Sequence, residues 1–286
     1  MGKPVLFVSF SGGRTSGYMC WWLKKYASKF FKLIFVFANT GLEHEETLIF
    51  VDKCDKDFDL KLVWVEAVVN DGRVGSTHRV VNFESASREG EPFEAVIEKY
   101  GIPNPDYPHC NRELKLAPIK SYKKSIGYRR DHLTAIGIRS DEMDRISIDA
   151  DKDGLIYPLI CWQPTTKEEI RHWWKGQGFD LDLSEHLGNC KTCWKKSFRK
   201  LMTTAKHTPE EFEFFYRMEE MHGNTGAGDQ KRVFFRDYKT AKDIIAMSKQ
   251  PFIEFVDYMP ELQLRLIEDI DELDKESDCG ASCEAG

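Results

Sequence analysis

Val5-Leu-Phe-Val-Ser-Phe-Ser-Gly-Gly-Arg-Thr-Ser16 is the stretch that decides the fold. Its first half, Val5–Phe10, is a nearly continuous apolar run, the pattern of a strand buried on both faces. Gly12-Gly13 then separates that strand from a helix. A glycine-rich turn in this position exposes consecutive backbone N–H groups, and with the helix dipole they form an anion site. Serine and threonine hydroxyls add donors, and Arg14 adds a charged fork suited to phosphate. The stretch fits neither G-x-x-x-x-G-K-[ST] nor G-x-G-x-x-G, and a plain glycine turn is the alternative reading.

Outward from this loop, β-branched or aromatic runs recur at 33–38, 60–69 and 133–138, with helically spaced segments between them. Strands alternating with helices read as βαβ units, so residues 1–162 are expected to form an α/β domain with an open, doubly wound parallel sheet. Asn39-Thr40-Gly41 ends the second strand, and Glu43, Glu45 and Glu46 suit the start of the next helix. Residues 163–286 read as a helical C-terminal part. Thr166-Lys-Glu-Glu169 and Thr208-Pro-Glu-Glu211 match the capping box, and further helices are expected over 237–250 and 252–274. The stretch 276–286 should be disordered unless its two cysteines tie it down.

Open α/β sheets bind ligands beyond the carboxyl ends of their strands. Segments 11–16, 39–41 and 137–139 all follow or end predicted strands, so all three should meet at that edge. Arg139 and Arg145 are then candidates for binding phosphate; the alternative is a surface salt bridge with Asp141, Glu142 or Asp144.

Hydrophobic residues are 41% of 286, enough for a real core, and the net charge of −6 argues against a cationic coat over the whole surface. The opening residues lack the long apolar core of a signal peptide, and no window reaches the ~18 apolar residues of a membrane span. The expected compartment is the cytoplasm, where cysteines stay reduced and clustered ones bind metal or do redox chemistry. There are eight cysteines. Cys190-Lys-Thr-Cys193 and Cys279-Gly-Ala-Ser-Cys283 are closely spaced pairs, and Cys110 stands in Pro-His-Cys-Asn-Arg-Glu-Leu-Lys-Leu-Ala-Pro118. Two such pairs can give a four-sulfur set for zinc or an iron–sulfur cluster, with a redox pair as the other option. Cys20, Cys54 and Cys161 are expected to pack in the core.

Cationic residues segregate into Lys115, Lys120, Lys123, Lys124, Arg129 and Arg130, and into Lys191, Lys195, Lys196, Arg199 and Lys200. Both runs flank candidate cysteines and would steer a polyanion there, unless they are ordinary solvated helix faces. Trp162, Trp173, Trp174 and Trp194 either stack bases or pack in the core.

Ser9-Phe-Ser-Gly-Gly-Arg-Thr-Ser16 resembles the pyrophosphate-binding loop of the adenine-nucleotide α-hydrolase superfamily, in its PAPS/APS reductase-like branch. Three segments agree in order: Phe37-Ala-Asn-Thr-Gly-Leu42 with Glu45-Glu-Thr47, Gly137-Ile-Arg-Ser-Asp-Glu-Met-Asp-Arg145, and Tyr157-Pro-Leu-Ile-Cys-Trp162. The likeness covers roughly residues 4 to 200, with Arg14 where many relatives have lysine. It implies ATP with Mg²⁺ bound by Ser9, Ser11, Gly12, Gly13, Arg14, Thr15, Ser16, Asn39, Thr40, Gly41, Gly137 and Arg139. Arg14, Arg139 and Arg145 would neutralise developing phosphate charge.

In APS reductase-like proteins a Cys-Cys pair joins a later C-x-x-C around a [4Fe-4S] cluster. Cys110, Lys115 and Pro118 keep the spacing of that first cysteine, Asn111 stands in the place of the second, and Cys190 and Cys193 match the later pair. Cys283, or Cys279, would complete the ligand set; zinc is the alternative metal. This usage resembles the DNA-phosphorothioation ATP pyrophosphatases (DndC-like). Sulfonucleotide reductases end in E-C-G-[IL]-H, which Asp278-Cys279-Gly280 echoes in part, so Cys279 is the candidate sulfur-carrying thiolate. The resemblance implies an ATP pyrophosphatase that adenylates DNA or tRNA for sulfur insertion, partnered by a cysteine desulfurase or persulfide donor. The alternatives are a sulfonucleotide reductase releasing sulfite, and a non-catalytic nucleotide-binding subunit that senses redox state.

Overall fold

The computed structural model describes residues 2–128, 132–188, 190–226 and 231–257. Its frame is a six-stranded sheet of β1 (Val5–Phe10), β2 (Lys32–Asn39), β3 (Val63–Val68), β4 (Thr77–Val81), β5 (Leu133–Ala135) and β6 (Leu155–Ile156). The spatial order is β4-β3-β2-β1-β5-β6, parallel except for β4, which runs antiparallel to β3 at the edge. The short β4 and β6 carry no strong alternating pattern and did not stand out in the sequence.

The first half also holds helices α1 (Arg14–Trp22), α2 (Glu45–Phe58), α3 (Glu91–Tyr100), α4 (Ala117–Ser125), α5 (Ala150–Asp153) and α6 (Pro158–Cys161). Alternate residues of the central strands serve opposite faces, as the period of two requires. Leu6, Val8, Phe10, Phe35 and Phe37 pack with Met19 and Leu23 around α1 and with Leu48, Phe50 and Val51 of α2. Phe7, Val36, Ala38 and Val65 pack on the other face with Ile119 of α4.

The expected domain boundary after Trp162 is not where the packing changes. Helix α7 (Lys167–Lys175) sends Ile170 and Trp174 into the first core, with Leu181 behind them. Its Thr166–Glu169 capping box is present as the sequence predicts. The second core instead recruits α3 from the first half. Phe93, Val96 and Ile97 meet residues of α8 (Phe198–His207), α9 (Glu213–His222) and α10 (Ala241–Met247), including Leu201, Phe215, Met218 and Ile244. At about 1.5–3 kcal/mol per fully buried large side chain, this phenylalanine-rich centre fastens the helices to one another.

Three local expectations need correction. Thr208 does not cap a helix: a 3-10 turn (Pro209–Phe212) precedes α9, and the Thr208 hydroxyl donates back to the Thr204 carbonyl. The helix expected over 237–250 is the shorter α10, because Thr240 forms a capping box with Asp243. Residues 252–257 are not helical, and the rest of the expected helix over 252–274 lies outside the described residues. Among the described residues no helix is long and apolar enough to cross a membrane.

Candidate functional site

β1 is flanked by β2 on one side and β5 on the other, so the chain reverses its direction of sheet growth between β1 and β5. In such sheets that switch point opens a crevice at the carboxyl ends of the strands. The loops after these two strands touch. A Cβ on Gly137 would come 3.1 Å from the Ser16 Cα, and an Arg139 guanidinium N–H donates to Thr15 Oγ1 at 3.1 Å. Loop 11–16 is braced internally. The Ser11 amide donates to Ser16 Oγ at 3.2 Å, and Ser16 Oγ donates to the Gly13 carbonyl at 3.1 Å. Gly12 takes φ +87°, and Gly13 begins α1 with no side-chain cap and open space where a Cβ would stand.

The crevice widens into a cleft of about 550 Å³. Ser11, Gly12, Gly13, Arg14, Thr15, Arg139 and Arg145 line one end, and Cys193, Lys195, Lys196 and Lys200 line another part. The three arginines line the cleft and are also salt-bridged. Arg14 Nε pairs with Asp180 at 2.7 Å and its guanidinium also donates to the Leu181 carbonyl. Arg139 pairs with Asp141 at 2.9 Å and Glu142 at 3.0 Å, and Arg145 with Glu142 at 2.6 Å. Lys196 is buried, and that burial holds its ammonium down to about 8. Its Nζ donates to the Lys191 carbonyl at 2.7 Å.

The cysteine pair is joined to the end of β2. Cys190 forms an antiparallel bridge with Glu43, and the Lys191 amide donates to the Leu42 carbonyl at 2.9 Å. Thr40 Oγ1 lies 3.4 Å from Cys190 Sγ, and Thr40 donates its amide and hydroxyl to Glu43 at 2.9 and 2.8 Å. Burial, then the Glu43 charge, pushes the Cys190 thiol up to about 12. Cys110 is half-buried just before a wide π turn (Arg112–Leu116) and packs against the same core as Cys190. Lys115 of that turn lowers the Cys190 thiol, partly opposing the burial. Cys279 and Cys283 lie outside the described residues.

Several expected nucleotide contacts turn out to be framework. Asn39 is fully buried and spends its amide on Glu66 Oε1 (2.6 Å) and the Ser87 carbonyl (2.9 Å). Thr40 and Gly41 support the cysteine turn and the approach of Gly90 and Pro92. Ser9, Ser16 and Gly137 are buried and shape the loops; none of these six lines the cleft. Cys20 and Cys54 are buried as expected, but Cys161 is exposed at the end of α6. Lys123 is no surface cation. It donates to Thr134 Oγ1 at 2.6 Å and lies 4.4 Å from the Phe7 ring, and burial draws its ammonium down to about 8. Arg129 and Arg130 lie outside the described residues. Trp174 and Trp194 are core residues, Trp173 packs against the first core, and Trp162 stacks on Phe31 at 5.7 Å. The sequence did not single out Lys167 or Arg171, which line the cleft because α7 folds beside the loop.

No family model matches the chain. It is 36% identical over 204 residues to the uncharacterized nin region protein ORF290 of Escherichia phage lambda, a match spanning 70% of this chain and 69% of the phage protein. The chain belongs to the ORF290 family. Two uncharacterized proteins of Methanocaldococcus jannaschii are also similar, at 30% identity over 164 residues and 31% over 140. These matches cover 55% and 49% of this ORF290-family chain, but 33% and 24% of the archaeal proteins.

Proposed function

We propose that this ORF290-family chain is an ATP pyrophosphatase of the PAPS reductase-like branch, working in the cytoplasm to adenylate a nucleic acid for sulfur insertion. The observation that carries the reading is the continuity of one cleft from the glycine loop to Cys193, Lys195 and Lys196. An anion cradle and a thiol within one cavity suit a reaction that needs both.

The uncapped first turn of α1 and the Gly12-Gly13 amides would bind the departing pyrophosphate. A substrate oxygen forms a bond to the α-phosphorus, and the bond from that phosphorus to the bridging oxygen of the β-phosphate breaks. Arg14, Arg139 and Arg145, already oriented by carboxylates, would take up the charge that leaves with pyrophosphate. The terminal sulfur of a persulfide donor then displaces AMP, and a second donor thiolate attacks the inner sulfur, which frees the thiolated product and leaves the donor as a disulfide. Glu142 and Asp144 are the cleft carboxylates that the accompanying Mg²⁺ would meet.

The cysteine region fits a thiolate-bound centre. Thr192 Oγ1 and Trp194 Nε1, in and beside the Cys190–Cys193 turn, are buried donors without hydrogen-bond partners, as groups aimed at cluster sulfur would be. Cys110, Cys190, Cys193 and a tail cysteine would hold a [4Fe-4S] cluster, with zinc as the alternative metal. Bound there, it would supply a sulfur-rich redox centre beside the nucleotide.

The test is pyrophosphate release from ATP by the anaerobically prepared full chain, with desulfurase and nucleic acid present. Release that depends on Arg139 supports the reading. ATP binding without release overturns it in favour of a redox-sensing subunit, and thiol-dependent sulfite release from PAPS or APS overturns it in favour of a reductase.

A further inference from the structure

We propose that Glu94, Glu98 and His222 form a binding site for one divalent transition-metal ion of the zinc class, separate from the cleft and its cysteines. One donor atom from each of the three lies within 4.8 Å of the others. Glu94 and Glu98 stand one turn apart on α3, so both carboxylates project from the same face. His222 is the last residue of α9. The two helices are held together by Phe93, whose ring lies 5.8 Å from that of Phe214 and 6.4 Å from that of Phe215.

Two further observations point to a cation. His222 Nε2 is buried and has no hydrogen-bond partner. A buried ring nitrogen left unpaired costs roughly 1–3 kcal/mol, and the lone pair of a neutral imidazole is a good metal ligand. The carboxylates are also undercompensated. Arg217 reaches Glu94 at 3.3 Å, while Glu98 has no ion-pair partner among the described residues. Like charges one turn apart repel. An ion between the three groups satisfies the imidazole and neutralises the carboxylates together.

The donor set selects the metal class. Calcium and magnesium take oxygen ligands, whereas one imidazole with two carboxylates suits zinc and its neighbours in the first transition row. Three protein ligands leave a fourth position for water. Glu98 is exposed and opens onto a recess of about 650 Å³ that also includes Asn70, Asp71, Arg73 and Lys99, which gives the ion a way in.

The experiment is equilibrium dialysis of the full, metal-stripped chain against Zn²⁺, beside Glu98→Gln and His222→Gln, each also in a Cys190→Ser/Cys193→Ser background. The wild type should bind one equivalent more than either ligand variant, in both backgrounds. The affinity loss at this site should be at least about tenfold, the lower end of what even an indirect partner costs. Co²⁺ placed there should absorb in the visible without a thiolate charge-transfer band. Glu98 is exposed, so Glu98→Gln leaves the metal-free melting curve in place and stands alone if His222→Gln fails to fold. Equal stoichiometry and affinity in the wild type and Glu98→Gln would overturn the proposal.

Discussion

At Gly12 the backbone takes φ +87°, and a Cβ would come 2.7 Å from Thr47 Cγ2. At Gly13, one residue on, φ is −99° and a Cβ would meet nothing within 4 Å. The two substitutions should therefore separate stability from binding. Gly12→Ala is expected to destabilise by about 1–3 kcal/mol, visible as a lower melting temperature. Gly13→Ala should melt within about 0.5 kcal/mol of wild type, yet weaken pyrophosphate binding in a titration, because the new methyl stands in the anion cradle. Glu66 is a harder case. It is wholly buried and accepts from Asn39, from the Ser87 amide at 2.6 Å and from Arg79 at 2.6 Å. Glu66→Ala strands these donors and should cost about 3 kcal/mol in denaturant unfolding. The glycine pair was legible in the sequence because φ and backbone exposure leave a mark on residue type. The role of Asn39 was not, because its amide partner Glu66 belongs to a different strand, and no local pattern announces a cross-strand pair.

Helix α7 stands between the two parts of the chain that the sequence suggests. Trp174 packs against Phe50 at 4.9 Å, and its Nε1–H donates to the Arg14 carbonyl at 2.9 Å. Trp174→Ala should lose about 3–5 kcal/mol and, through Arg14, anion affinity as well; Trp174→Phe should lose much less of both. Helix periodicity showed that α7 exists and where it starts, but not which sheet face it covers, since an amphipathic stripe carries no address. Helix α9 gives a pH prediction. Glu219 accepts from the Phe234 and Ala241 amides, and burial raises its carboxyl to about 7. In the unfolded chain it ionises near the ordinary carboxylate value of 4.5. Its contribution is therefore fully present below about 4.5 and is lost as pH rises towards 7, after which no further change is due to it. His44, drawn down to about 4 by burial, acts in the opposite sense: its contribution is present above about 6.5 and is lost as pH falls towards 4. Glu219→Gln should flatten the loss of melting temperature between pH 5 and 7; an unchanged slope would contradict this assignment.

Across the whole molecule, the sheet-forming half was legible because continuous apolar strands and glycine punctuation are local signals. The second core was not, because it joins α3 to helices more than a hundred residues later. The cleft likewise collects Arg14, Arg139 and Lys196 from three distant segments, so the local run at 191–200 is legible in the sequence but its meeting with the two arginines is not. Anion binding there should weaken steeply with added salt, and Lys196→Gln should reduce that dependence in titrations at two ionic strengths. The join between Thr40 and Cys190 has one more consequence, and it concerns time. Its partners are 150 residues apart. At ribosomal rates of about 5–20 residues per second, roughly 8–30 s separate their synthesis. The end of β2 therefore waits while 150 further residues are made before the cysteine turn that will cover it emerges. The proposed thiol centre therefore cannot assemble on the nascent first half and must wait until both segments have been made.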